Sequence, residues 1–158
     1  MTDYIATSLE IALPIQKVVT VHYFEYAKNY VFEGERHNFW EFLYVDKGEV
    51  EVMAGEVGYR LRQGEMIFHK PNEFHNVYAN GVVAPNLVVI SFECSAPAMA
   101  YFEGKIVTAG EEERTLLARI IREARNAFST PLDDPQTKVM QRASCHAFAS
   151  EQMIAILL

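Results

Sequence analysis

Cysteine is scarce in this chain. Cys94 and Cys145 are the only two in 158 residues and show no C-x-x-C spacing, which excludes a disulfide scaffold and leaves a reducing cytoplasm as the expected compartment. Basic residues are few as well: 14 Lys plus Arg against 21 Asp plus Glu give a formal net charge of −7 and a pI of about 5.2. These residues therefore lack the clustered positive surface with which a free-standing nucleic-acid binder neutralises phosphates. Met1 to Ala12 holds no Lys, no Arg and no continuous apolar stretch, so neither a secretory signal nor a transit peptide is written there. The longest run without Asp, Glu, Lys or Arg, Phe74 to Phe92, is broken by His75, Asn76, Asn80, Gly81, Pro85 and Asn86. Such a run suits short buried strands separated by turns and would span a bilayer badly, so no membrane partner is expected. Internal repeats, low-complexity tracts and Ser/Gly-rich linkers are also missing. What is present is a chain that is half hydrophobic, enough to bury a core of its own and to exclude global disorder.

The periodicity changes near residue 108. Before it, Gly and Pro punctuate short segments rich in Val, Tyr, Phe and Ile: Lys17 to Tyr26, Trp40 to Val45, Glu49 to Met53, Val57 to Leu61, Met66 to Phe68, Phe74 to Ala79 and Leu87 to Phe92. Gly48, after Asp46 and Lys47, reads as a hairpin turn. Strands at this spacing with no helix between them indicate an antiparallel sandwich or barrel.

After residue 108 the pattern is helical. Thr108 to Glu111 fits an S/T-x-x-E capping box, and Leu116, Leu117, Ile120, Ile121, Ala124 and Phe128 form an apolar stripe with Arg119, Arg122 and Arg125 off it. Pro131 stops this helix. Asp133 or Asp134, with Pro135 behind it, is expected to start a second whose stripe, Met140, Ala143, Ala147, Phe148, Ile154, Leu157 and Leu158, runs to the last residue. That last turn carries no capping residue, so the polypeptide is expected to continue past Leu158. The chain thus divides into a β part, 1–108 with an amino-terminal arm, and a helical part, 109–158. A symmetric homodimer is expected through Leu116, Ile120, Met140, Ala147 and Ile154; the alternative is that the first helix merely covers an open sheet.

In an extended segment residues of one parity share a face, which would turn Glu35, His37, Phe39, Glu41 and Leu43 to the same side. If the strand holding His75 lies near the one holding His37, two imidazoles and one or two carboxylates converge, a ligand set suited to Zn, Fe, Mn or Ni through His37, Glu41 and His75. The alternative is that these histidines hydrogen-bond Glu41 or Glu35 and hold no ion. His22, His69 and His146 read as surface or partly buried residues.

These two segments resemble the paired motifs of the cupin superfamily. His37, Glu41 and Gly48 fit the first motif, with Glu35 standing where its first histidine would be. Gly64 and His75, eleven positions apart, keep the spacing of the second, with Pro71 displaced by one and Asn72 in the place of an inner Gly. The resemblance implies a mainly β fold, a small double-stranded β-helix (cupin, jelly-roll) barrel followed by two carboxy-terminal α-helices. The whole ordering, through RHNFWEFLYVDKGEVEVMAG from Arg36, FHKPNEFHNV from Phe68 and APNLVVISFEC from Ala84, is similar to the amino-terminal effector domain of AraC/XylS-type transcription regulators. That likeness implies a ligand-sensing and dimerisation domain, not an enzyme, that binds a small metabolite such as a sugar in a pocket formed by Glu35, His37, Phe39, Glu41, Leu43 and His75. No cofactor is required, although a divalent metal is compatible with the set. DNA would be contacted only through a carboxy-terminal helix-turn-helix region that these residues do not include. The competing reading is a metal-dependent cupin enzyme, a dioxygenase or isomerase. Nine of the 19 aromatic residues lie between Tyr23 and Tyr44; they could stack on a sugar ring, but most are expected in the core.

Overall fold

The structure is a computed structural model that describes residues 3–145 and 147–158. The expectation for His146 falls outside them. Among the described residues, nine strands form two antiparallel sheets. Strands β1 (Lys17–Glu25), β8 (Asn86–Glu93), β3 (Trp40–Lys47), β6 (Glu65–His69) and β9 (Ile106–Thr108) make the larger, in the order β1-β8-β3-β6-β9. Strands β2 (Val31–Glu35), β7 (His75–Ala79), β4 (Glu49–Ala54) and β5 (Val57–Arg62) make the smaller, in the order β2-β7-β4-β5. The jelly-roll expectation holds in the form of two open sheets facing each other; no ladder closes them into one barrel among the described residues.

Period-2 patterning located seven of the strands but could not say which pair. Gly48 is the clearest correction. It closes no hairpin, because β3 and β4 lie in different sheets and Gly48, at φ +82°, turns the chain from one to the other. A Cβ there would meet Pro85 Cα at 3.2 Å, so the close approach also favours glycine. Of the nine-strand succession only β4–β5 is a two-residue hairpin, over Gly55 and Glu56. Two strands escaped the pattern: β2, VFEGE, is mostly exposed, and β9 is three residues long after a 3₁₀ helix at Pro97–Phe102.

The larger sheet is buried on both faces, which is why its central strands read as almost continuous apolar runs. On β3 and β8 one parity, Trp40, Phe42, Tyr44, Val88, Ile90 and Phe92, packs outward under the helices. The other, Leu43, Val45, Leu87 and Val89, packs inward against Val50, Val52, Leu61 and Val77 of the smaller sheet. Helix α1 (Glu111–Ala127) lays Leu117, Ile120, Ile121, Ala124 and Ala127 on the outer face. Its amino-terminal cap is not Thr108: Gly110 holds the N-cap position and its N–H donates to Glu113 Oε2 at 2.8 Å. The expected second helix shrinks to α2 (Ser150–Leu157). Between the helices the chain is irregular, because Pro131 and Pro135 each remove a donor and Asp134 closes a local turn, accepting from Gln136 N–H at 2.9 Å through its side chain and from Thr137 N–H at 3.2 Å through its carbonyl.

The five residues expected at a dimer interface consequently do not share a face. Ile120 and Ile154 are taken up by the chain's own core, Met140 is half-buried in the irregular stretch, and Leu116 and Ala147 are exposed. In this chain α1 covers the sheet, and the helices and the β part share a single packed core. Residues 3–14, the described part of the arm before Ile15, form no strand or helix, and Tyr4, Ile5, Leu9 and Ile11 are exposed.

Candidate ligand-binding site

Between the two sheets, at the end where β2 passes to β3, lies a cavity of about 360 Å³. All six pocket residues expected from the sequence, Glu35, His37, Phe39, Glu41, Leu43 and His75, line it, yet not by the route expected. They do not share one strand. Glu35 ends β2 in the smaller sheet, opposite His75 of β7; residues 36–39 cross between the sheets; and Glu41 is the second residue of β3 in the larger one. Three elements therefore meet at a crossover, a juxtaposition that parity along one strand cannot produce. Gly34, at φ +112°, sits where a Cβ would fall 2.5 Å from Phe74 Cζ and 2.6 Å from the His75 carbonyl, so only glycine lets β2 approach β7 this closely.

At the heart of the site is Glu41. Its Oε2 accepts a 2.6 Å hydrogen bond from Ser91 Oγ, which in turn accepts from Thr20 Oγ1 at 3.0 Å. His75 Nε2 stands 3.4 Å from Oε1 and His37 Nε2 stands 3.6 Å from Oε2. The far nitrogens of both imidazoles are committed: His37 Nδ1–H donates to the Phe39 carbonyl at 3.0 Å and His75 Nδ1–H to the Glu73 carbonyl at 3.1 Å. A carbonyl only accepts, so these bonds place a proton on each Nδ1 and leave Nε2 as the atom that faces the carboxylate, a lone pair in a neutral ring and a donor in a protonated one. Lone pairs and a carboxylate repel unless a proton or another cation lies between them. Burial would raise the Glu41 pKa, but the imidazoles of His37 and His75 and the Ser91 hydroxyl outweigh it and hold the carboxyl well below its ordinary range. Burial would likewise lower the pKa of His75, and the Glu41 carboxylate reverses that and raises it.

Ligand atoms of Glu35, His37, Glu41 and His75 all lie within 4.8 Å of one another. With backbone carbonyls orienting both imidazoles, the set fits a divalent first-row ion bound through two nitrogens and carboxylate oxygens.

Two histidines set aside on sequence prove central. His69 and His22 are buried, at 0% and 6% exposure, and both line the cavity. Burial lowers the pKa of each. His69 stacks on His75 at 4.5 Å between centroids, and His22 opens an aromatic column with Phe24, Tyr26 and Tyr30 at successive spacings of 4.6, 4.8 and 3.5 Å. The inner rings of that column, Phe24 and Tyr26, have both faces covered by neighbours, and His37 lies on Phe39 at 3.8 Å. Of the aromatic residues between Tyr23 and Tyr44, most belong to the core as expected: Trp40, Phe42 and Tyr44, with Tyr23 against them, lie under the helices, and Phe24, with Tyr26 and Phe32 against it, lies between the sheets; Phe24, Tyr26, Tyr30, Phe32 and Phe39 also line the cavity. Ser91 and Thr20 were also missed. Their signal was a serine at the inward parity of an otherwise apolar strand.

Residues 17–152 match the family of AraC-like ligand-binding domains. No curated protein matches the chain in sequence. Among solved structures it is similar to an apo form of ToxT from Vibrio cholerae, at 12% identity over 90% of this chain and 54% of that one, with a TM-score of 0.54. It is also similar to a conserved protein of unknown function from Streptococcus pyogenes, at 17% identity over 49% of this chain and 67% of that one (TM-score 0.45). An RmlC-like cupin from Shewanella frigidimarina matches at 17% identity over 52% of this chain and 71% of that one (TM-score 0.43). The likeness to ToxT is one of fold, and this chain spans about half of that protein's length.

Proposed function

The chain belongs to the AraC-like ligand-binding domain family, and from that premise we propose that it is the sensory part of a DNA-binding transcription regulator rather than an enzyme. A small metabolite occupies the cavity between the sheets and changes the packing of the elements around it. DNA is contacted by a region outside these 158 residues, whose own charge of −7 is unsuited to it. In this reading the protein works in the cytoplasm as a homodimer and needs no cofactor.

One observation carries the reading. Among the described residues, the buried side-chain polar atoms that lack a protein hydrogen-bond partner are His37 Nε2, both ring nitrogens of His69, His75 Nε2 and Thr137 Oγ1, and every one belongs to a residue of the cavity wall. Three of them stand near a carboxylate without a hydrogen bond to it, His75 Nε2 and His37 Nε2 at 3.4 and 3.6 Å from Glu41 and His69 Nδ1 at 3.7 Å from Glu73 Oε2; a buried polar atom left without a hydrogen bond costs roughly 1–3 kcal/mol, so a core selected for stability alone would replace such residues with apolar side chains. A ligand with hydrogen-bonding groups meets them. A sugar remains within this class, held by polar contacts more than by ring stacking, because the inner faces of the aromatic column are already covered.

Thermal shift against a panel of sugars and small metabolites tests this. A true effector at a hundred times its Kd stabilises by about 2.7 kcal/mol, or about 5–10 °C for a domain of this size, and His37→Ala abolishes the shift. A panel without a stabiliser, together with intact regulation in His37→Ala, would defeat the proposal.

The placement of His37, Glu41 and His75 favours a second reading, a metal-dependent cupin enzyme. These residues, with Glu35 beside them, would hold the ion, which when bound supplies a Lewis acid for a ligand's oxygen. Elemental analysis of protein purified without chelator separates the two: absence of stoichiometric iron, manganese, nickel or zinc sinks the enzyme reading and leaves the sensor untouched.

A further inference from the structure

The stretch that failed to form a helix has its own architecture. Ser129 N–H donates to the Gln141 carbonyl at 2.8 Å, Gln141 N–H to Thr130 Oγ1 at 2.7 Å, and Ala143 N–H to the Ala127 carbonyl at 2.9 Å. These bonds tie the ends of a loop, as in a compact surface loop closed at its base. Beyond the base, the loop lies along β1, whose outer edge pairs with no other strand among the described residues. Tyr23 N–H reaches out from that edge to the Leu132 carbonyl at 2.9 Å, His22 Nδ1–H donates to the same oxygen at 3.2 Å, and the Leu132 side chain is buried. Past this anchor the tip turns on Asp134, mostly exposed on its outer side, while Pro135, Thr137 and Lys138 form part of the cavity wall. Thr137 Oγ1 is buried there without a protein partner.

We infer that the loop from Ser129 to Gln141 is a lid over the ligand cavity, seated on β1 through His22 and Leu132, and that its seating is transmitted to α2. The inference rests on reading the cavity as the ligand site. A lid held by one carbonyl and one buried leucine opens at far lower cost than the sheets around it. His22 links the two sides of the device: its ring lines the cavity and stacks on Phe24, and its nitrogen holds the lid. Thr137 offers an occupant a hydroxyl that both donates and accepts, so a bound ligand touches the lid from beneath and favours the closed state. At the lid's far end Arg142 makes a two-pronged ion pair with Glu151 of α2 at 2.6 and 3.0 Å, and Phe128 and Arg142 form an isolated antiparallel bridge at its base. Lid position and α2 are therefore mechanically connected. Among the described residues, none of the amino-terminal arm contributes to the cavity wall.

Diethyl pyrocarbonate, a small neutral electrophile that labels imidazoles, tests the lid without knowledge of the effector. Labelling of His69 and His75 is followed by peptide mass spectrometry, alongside hydrogen exchange of the lid and of α2, in wild type, His22→Phe and Leu132→Ala. His22→Phe keeps a stacking ring and removes the donor; Leu132→Ala lies on the loop and serves should the first variant not fold. The lid predicts slow labelling in wild type, labelling at least about fivefold faster in each folded variant, and faster exchange over residues 131–138 and in α2 but not in α1. Equal labelling in all three proteins, or faster labelling with α2 exchange unchanged, overturns the inference. Gating present with no stabilising metabolite retires the effector reading and keeps the lid; a stabiliser found with no gating does the reverse.

Discussion

Removal of the Ser91 hydroxyl tests the electrostatic account of the site most directly. Ser91→Ala deletes the 2.6 Å donor to a carboxylate whose side chain is only 12% exposed. A hydrogen bond to a charged acceptor contributes roughly 1.5–3 kcal/mol, and the Thr20 hydroxyl, which loses its own acceptor, adds about 1 kcal/mol. The expected loss is about 2.5–4 kcal/mol, or about 5–15 °C in Tm for a domain of this length, measured by circular dichroism at pH 7 and checked by denaturant midpoint. Thr20→Val alone should cost about 1 kcal/mol, and the double variant little more than Ser91→Ala, because the three groups form one chain of bonds. The pH dependence sharpens the test. Glu41 titrates below its ordinary value of 4.5 when folded, so its contribution is present above pH 4.5 and is lost as the pH falls through the folded pKa. Without Ser91 the carboxyl is less depressed, and the gap between wild type and variant should narrow as the pH is taken below 4.5. A Tm within about 2 °C of wild type at pH 7, or a gap that widens in acid, would refute the account of Glu41 given above.

The helices give a second test. Ile120→Asp puts a charge under α1 at a site 2% exposed and should unfold the domain or cost at least about 4 kcal/mol, whereas Leu116→Asp, at 42% exposure, should cost less than about 1 kcal/mol. If sedimentation shows a dimer in wild type, loss of that dimer in folded Leu116→Asp would place α1's exposed side at the interface, and its persistence would remove α1 from it. A third follows from His22 and His69, which burial keeps neutral: their folded pKa values lie below 6.5, so stability should be full above pH 6.5 and fall as the pH drops below it. Replacing His69 by Phe should flatten part of that slope in denaturant midpoints between pH 7 and 5; an unchanged slope would contradict the burial argument.

Much of this protein was written in local pattern. The alternation of apolar residues marked seven of the nine strands, because a side chain that must face a core every second residue leaves that period in the sequence. The stripe on α1 did the same at helical spacing, and the cupin motifs that the segments around Gly48 and Gly64 resemble implied a meeting of His37, Glu41 and His75, which the residues alone left conditional on how their strands pair. Pairing was not legible. Gly48 looks the same whether it closes a hairpin or carries the chain to another sheet, since both need positive φ. Nor was burial on both sides: His22 and His69 sit in strands whose polar residues could equally have faced water, and only the opposing sheet decides that they line a cavity. The stretch from Ser129 to Gln141 shows the limit most plainly. A helical period was expected to run through it, but two prolines and the hydrogen bonds of its Leu132 carbonyl to β1 outweigh that period and lay the segment along β1, with Pro135, Thr137 and Lys138 at the cavity wall. Local periodicity records which side of a segment is buried; what buries it, and which distant groups come within hydrogen-bond reach, depends on contacts between residues far apart in the chain and is settled only when the sheets close on one another.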